Sequence, residues 1–251
     1  MTLDFNGRIV AVSGAAHGFG RAIGTRFAEA GARVFMNFFV NREAAEKTAR
    51  DVELRGGSAH LLQADLKEPA EIKRLVAEIE RSAGRLDVVV SNAASGVLRD
   101  GLDLTAKQWD WVMATNARAL LILAQEAARI MTAGGRIIAL SSLGSRRVIP
   151  GYASIGVSKA ALEGLTRYLA VELAAKGITV NTVSAGAVET DVWQAMPEGT
   201  AALAAIRART PGGVLVTADE VAGIVYFLAS PAAQAIQGQV VTVDGGYSLL
   251  A

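Results

Sequence analysis

The sequence has no cysteine, which excludes disulfides and thiolate metal sites; no metal is expected. Only five prolines interrupt 251 residues that are 51% hydrophobic, and this leaves little room for long disordered segments. Neither sign of charge dominates: 25 basic and 24 acidic residues give a formal net charge of +1. No run of Lys or Arg marks a footprint for nucleic acid or an anionic membrane. No apolar stretch approaches the roughly 18 residues of a membrane span. The N-terminal "MTLDFNGRIVAVSG" lacks a basic region followed by an apolar core and a cleavage site. These absences predict a soluble protein of the cytoplasm, binding neither nucleic acid nor membrane.

What is present is alternation. Short β-branched runs begin at Arg8, Ala32, Ala59, Leu86, Gly135, Gly177 and Gly238, and several are apolar on both faces, as strands of a buried parallel sheet are. Between them the periodicity predicts helices over Gly20–Ala30, Arg42–Leu54, Pro69–Ser82, Thr105–Met131, Ala153–Ala175 and Ala218–Leu228. Thr105 and Gln108 form a capping-box pattern at one of these starts. The order predicts an α/β fold: a Rossmann-type doubly wound parallel sheet of about seven strands flanked by helices, in a single domain over 1–251. Val192 to Gly213 is the irregular part, either a small lid over a ligand or an ordinary surface excursion.

The first strand runs into "SGAAHGFGRAIG", where Gly14, Gly18 and Gly20 follow the pattern G-x3-G-x-G and Phe19 stands between the last two. Such a turn lets backbone approach a pyrophosphate at a helix N-terminus. After the second strand, "MNFFVNREAAEK" offers no acid until Glu43, so nothing there repels a ribose 2′-phosphate. His17, Asn41 and Arg42 are the nearest groups to meet one, although Arg42 can equally be a solvated residue opening a helix. NADPH is expected over NADH. His60, inside a strand pattern, reads as structural.

Four further pieces complete a set: "ADL" with Asp65, "SNAA" with Asn92 and Ala93, "TNA" with Asn116, and "SSLGSRRVIPGYASIGVSK" with Ser142, Tyr152 and Lys159. With the terminal "VTVDGGYS" they make the whole chain resemble the short-chain dehydrogenase/reductase family. That resemblance implies that Asp65 and Leu66 contact adenine and that Asn92 and Ala93 line the cofactor cleft. It implies that Asn116 supports a proton-relay water near Lys159. "SAGAVET" stands where the family carries a "PGxxxT" nicotinamide loop, so Gly186 would belong to the cofactor-binding loop and Val188 and Thr190 would meet the carboxamide, with Ala185 in place of the proline. It also implies a homotetramer with the helices Thr105–Met131 and Ala153–Ala175 at an interface. Trp109 and Trp111, two apart on one helix, are expected to divide between the core and a subunit contact.

The commonest form of the family places its Tyr four residues before the Lys, and here that position is Ile155. Tyr152 stands seven before Lys159. Seven helical residues turn through about 700°, so both side chains can share one face, with a rise of about 10.5 Å rather than about 6 Å. Pro150 and Gly151 place Tyr152 ahead of the first regular turn. A displaced phenol suits an acceptor whose charge gathers away from the carbon receiving hydride, as on the oxygen of an α,β-unsaturated thioester. "SNAASGVLR", "QWDWVMATNARALLILAQEAA" and the Tyr-x6-Lys region are most similar to the NADPH-dependent enoyl-acyl-carrier-protein reductases III of this family. That likeness implies Tyr152 as enolate stabiliser, Lys159 as cofactor-orienting base and Ser142 as a secondary donor.

Two alternatives stand beside it. A ketoreductase for a polyketide or other cyclic ketone would use Ser142 to polarise the ketone, in a pocket lined by Val97, Leu98, Val148, Tyr152, Ile155 and Trp193. A dinucleotide-binding regulator without turnover is the other. Ser142 also reads as a turn or capping hydroxyl. Arg99, Arg146 and Arg147 either meet a carrier-protein-bound substrate or are solvated loop residues.

Overall fold

A computed structural model describes residues 3–188 and 199–250. Seven strands form one parallel sheet: β1 (Ile9–Val12), β2 (Arg33–Phe38), β3 (Ser58–Gln63), β4 (Val88–Ser91), β5 (Arg136–Ser142), β6 (Thr179–Ala185) and β7 (Val240–Val243). Their order is β3-β2-β1-β4-β5-β6-β7. The chain winds outward from β1 to β3, then returns to lay β4 on the other side of β1. That reversal opens a crevice at the carboxyl ends of β1 and β4, where a doubly wound sheet binds its ligand.

The helices are α1 (Gly18–Glu29), α2 (Arg42–Leu54), α3 (Pro69–Ala83), α4 (Ala106–Met113), α5 (Ala119–Ile130), α6 (Ala153–Ala174), α7 (Gly199–Arg209) and α8 (Ala218–Leu228). The central strands are buried on both faces, with "IVAV" of β1 entirely inside. One core lies under α3, α5 and α6 through Ile72, Leu75, Leu120, Leu123 and Leu162. The other lies under α1 and α8 through Ile23, Phe27, Val221 and Val225, closed by the rings of Phe5, Phe27 and Tyr226 with centroids 4.6 to 5.5 Å apart. Each such side chain contributes about 1.5–3 kcal/mol by leaving water.

The seven expected strands are all present, and the α2 and α8 boundaries match the periodicity. The helix expected over Thr105–Met131 is present from Ala106 to Ile130, with one local change in its hydrogen-bond pattern. Thr105 caps α4 in a capping box with Gln108, and the change is a π-helical turn at Ala114–Arg118, between α4 and α5. Single π turns often mark functional sites, and this one carries Asn116. Trp109 and Trp111 do not divide between core and surface: each is 38% exposed. His60 is packed, stacked on Phe35 and accepting from Arg33 Nε at 2.9 Å. Of the segment Val192–Gly213, residues 199–209 form α7; Trp193 lies outside the described residues. Among the described residues no helix is long and apolar enough to cross a membrane.

Candidate active site

The chain leaves β1 and turns at Gly14, where φ is +63° and a Cβ would stand 2.9 Å from Ala93 Cα. Gly20, in the first turn of α1, abuts that turn: a Cβ there would collide with the Gly14 carbonyl and lie 2.6 Å from Asn92 Nδ2. Turn and helix therefore pack backbone against backbone. His17 is the N-cap of α1 and makes no side-chain cap, so the first N–H groups of the helix are left for an anion. His17 itself is exposed; Gly18 has φ +56°, and Phe19 packs against the core.

Two residues that sequence reasoning passed over hold this loop. Ser13 Oγ accepts from the backbone N–H of Asn92 at 2.8 Å and of Ala93 at 2.9 Å. Asn37, buried in β2, accepts from the Gly14 N–H at 3.3 Å and donates to the carbonyls of Phe38, Leu62 and Ala64. Asn92 turns its amide inward, donating to the Ser13 and Gly14 carbonyls at 2.9 and 3.0 Å. It braces the floor of the cleft. A polar residue in a buried parallel strand was the available signal for Asn37.

At the far end of the cleft Asn41 caps α2, accepting from the Ala44 N–H at 2.9 Å. Arg42 lies over the Phe38 ring, its guanidinium donating to Gln63 Oε1 at 2.8 Å, with most of the side chain exposed. Asp65 turns the chain by accepting from the Lys67 N–H at 3.0 Å. Leu66 is buried in the core, so its side chain packs inward. At the end of β6, Gly186 approaches β7 so closely that a Cβ would lie 2.8 Å from Asp244 Cβ. Val188 is buried and bridges Val216, while Thr190 lies outside the described residues.

Tyr152, Lys159 and Ser142 converge at the carboxyl end of β5. Tyr152 is the N-cap of α6, ahead of the first regular turn as Pro150 and Gly151 imply. Its ring rests on Gly144, where a Cβ would come within 2.6 Å of Cδ1. Burial raises the phenol's pKa, and the neighbouring Ser142 hydroxyl partly opposes this, so the phenol is a protonated donor at neutral pH. Ser142 Oγ is itself buried, with no hydrogen bond of good geometry among the described residues. Lys159 lies two turns along α6, buried, with Nζ donating to the Leu140 carbonyl at 2.7 Å. Desolvation lowers its pKa to about 8, with Glu163 pulling the other way. Asn116 accepts from the Ser95 N–H at 2.8 Å and donates to the Ser95 carbonyl and Ser158 Oγ, both at 2.9 Å, tying the π turn to α6. Ile155, where the commonest form of the family carries its Tyr, packs hard against Gly96.

A dinucleotide fits these residues. The turn has no room for a side chain at Gly14 or Gly20, the start of α1 lacks a cap, and the exposed Arg42, ion-paired with Glu46 at 3.7 Å, suits a 2′-phosphate where no acid precedes it after β2. The sheet, the turn and a buried Tyr–Lys pair together define a dinucleotide-dependent oxidoreductase.

Comparison with known proteins narrows the class. The profile of the enoyl-(acyl carrier protein) reductases matches residues 14–248. The 1-cyclohexenylcarbonyl-CoA reductase of Streptomyces collinus is 39% identical over 246 residues, covering 96% of this chain and 86% of that protein. A short-chain dehydrogenase from Burkholderia cenocepacia, solved in complex with NADP, superposes with a TM-score of 0.88 at 35% identity, covering 97% of this chain and 98% of the other. The angucycline C-6 ketoreductase LanV with bound NADP gives a TM-score of 0.92 at 32% identity, covering 99% and 98%. This chain belongs to the short-chain dehydrogenase/reductase family, and it is an NADPH-dependent short-chain oxidoreductase.

Proposed function

We infer that the chain reduces the carbon–carbon double bond of an α,β-unsaturated thioester. The observation that carries this reading is the place of Tyr152. As N-cap of α6, seven residues before Lys159, with Ile155 where the commoner Tyr would be, its phenol is displaced along the cleft. NADPH, which the Gly14–Gly20 turn, Arg42 and Lys159 would hold, would supply the hydride for C3 of the enoyl group. Negative charge then gathers on the thioester oxygen, and the Tyr152 phenol donates a hydrogen bond to it. A fixed donor of this kind is worth roughly 10²–10³ in kcat. Lys159, in turn, would fix the ribose, Asn116 braces the helix that presents it through Ser158, and a proton from solvent water at C2 would complete the reduction. The Streptomyces relative supports this reading, since its named substrate is a conjugated thioester.

The substrate is a small molecule or is held by a carrier protein. Arg146 and Arg147 are committed within the chain, Arg146 to Glu163 and Arg147 to the carbonyl of Ser248. The homotetramer implied by resemblance would use α4, α5 and α6, where Trp109, Trp111, Tyr168 and Val171 leave apolar surface. The protein would act in the cytoplasm.

One observation favours a second reading. The buried Ser142 hydroxyl beside Tyr152 could polarise a ring ketone, with Leu98 and Val148 as exposed apolar groups near the site in sequence. LanV is a ketoreductase by name. The two readings separate in Tyr152→Phe assayed with crotonyl-CoA and NADPH: the enoyl reading expects the kcat loss above, and an unchanged kcat rejects it.

A further inference from the structure

Glu163 is a buried carboxylate that the reaction outlined above does not use. It lies one turn beyond Lys159 on α6, only 5% exposed, and its carboxylate reaches the end of β5 and the turn that follows. Oε1 accepts from Ser141 Oγ at 2.7 Å and from Ser145 Oγ at 2.6 Å; Oε2 meets Arg146 Nε at 3.3 Å. Ser145 Oγ also lies 2.9 Å from the Ser142 carbonyl. One carboxylate thus gathers the end of β5 and the short turn after it. That turn contains Ser142 and Gly144, and Gly144 is the surface on which the Tyr152 ring rests. Burying a carboxylate is costly unless it is paired and hydrogen-bonded, and here three side chains satisfy it.

We propose that Glu163 is a positioning residue, which fixes the Ser142–Arg146 turn beneath the Tyr152 ring and holds the Lys159 ammonium charged for the cofactor ribose. The geometric half follows from the bonds to Ser141, Ser145 and Arg146. The electrostatic half follows from the charges present. On α6, Glu163 stands one turn from Lys159, and further along lie Arg167, whose guanidinium donates to the Glu163 backbone carbonyl at 3.1 Å, and Glu172. The turn after β5 presents Arg146. The other groups named around Lys159, the Leu140 carbonyl on β5 and Asn116 and Ser158 beside the π turn, are neutral. Glu163 is the nearby negative charge that opposes, in part, the desolvation of Lys159.

The inference rests on Tyr152 and Lys159 as the working pair, but not on the choice between enoyl and keto substrates. Its test is therefore NADPH binding, followed by nucleotide fluorescence from pH 6.5 to 10, in wild type, Glu163→Gln and Arg146→Ala. The wild-type dissociation constant should rise through an inflection near pH 8, where Lys159 loses its proton. Glu163→Gln keeps the shape and removes the charge, so the inflection should move to lower pH. Binding at pH 8 should weaken about threefold, with less than twofold change at pH 6.5. Arg146→Ala removes a positive charge facing Glu163 and should move the inflection upward. Opposite displacements are not expected of a merely structural residue. A folded Glu163→Gln whose inflection superimposes on wild type overturns the proposal. If that variant does not fold, Arg146→Ala decides: an upward displacement supports the proposal and an unmoved inflection overturns it. A Lys159→Met control that leaves the wild-type inflection intact would instead reject Lys159 as the group that titrates, and the site assignment with it.

Discussion

Tyr152 and Lys159 belong to the same helix but occupy different kinds of position. Tyr152 caps it with φ −106° and ψ 14°, outside regular helical geometry, whereas Lys159 is buried two turns along with its Nζ 2.7 Å from the Leu140 carbonyl. The phenol can therefore be aimed by the turn that supports it, independently of the Lys. Tyr152→Phe should bind NADPH within twofold of wild type, since the phenol serves the acceptor. Fluorescence titration checks this, and a tenfold loss of NADPH affinity would place Tyr152 in the cofactor site instead.

Lys159 makes a pH-dependent contribution to stability whose sign is fixed by its shift. Its folded pKa of about 8 lies below the ordinary value of 10.5 for a free side chain. Below pH 8 the ammonium is buried and charged, which disfavours the folded state. Between pH 8 and 10.5 the unfolded chain binds more protons, so stability contributed by this residue rises with pH. Lys159→Met removes the effect, by roughly 3 kcal/mol at the upper limit. Thermal melts should show the variant gaining most relative to wild type at pH 7, with the advantage fading as the pH climbs to 10. A constant difference across that range would contradict the assignment.

Ser13 should matter to the cleft although it touches no ligand in this account. Ser13→Ala would leave the N–H groups of Asn92 and Ala93 without their acceptor, at a cost of roughly 1–3 kcal/mol. Chemical denaturation measures the loss, and an unchanged midpoint would show that the loop is held by other means.

Arg42 bears on the choice of cofactor. It is exposed, it lies on a ring face and no acid precedes it after β2. Arg42→Ala should weaken NADPH about tenfold, comparable to one charge-assisted contact, and leave NADH affinity within twofold. Parallel titrations with both nucleotides check it; equal losses for the two would remove Arg42 from phosphate recognition.

How far the sequence carried the account depended on whether a feature was local. Strands such as "IVAV" and helix starts such as Thr105–Gln108 announce themselves by period and cap, and the structure places them accordingly. The Tyr152–Lys159 separation was also legible, because Pro150 and Gly151 fix where the helix can begin. What escaped was tertiary. The π turn around Asn116 has no period of its own, and it accompanies bonds to Ser95 and Ser158, 21 and 42 residues away. Ser13 carries no signal until β1 and β4 are laid side by side, and Asn37 stands out only as a polar residue in a buried strand. Glu163 reads as a solvated helix residue, because its partners Ser141 and Ser145 lie across the β5 turn.

The most direct test of the central claim is NADPH oxidation by the purified protein, offered crotonyl-CoA, 1-cyclohexenylcarbonyl-CoA, acetoacetyl-CoA and a bicyclic ketone such as 1-tetralone under identical conditions. The account predicts turnover with one or both conjugated thioesters and none with either keto compound. Turnover confined to acetoacetyl-CoA or the ring ketone would contradict it and make this chain a ketoreductase.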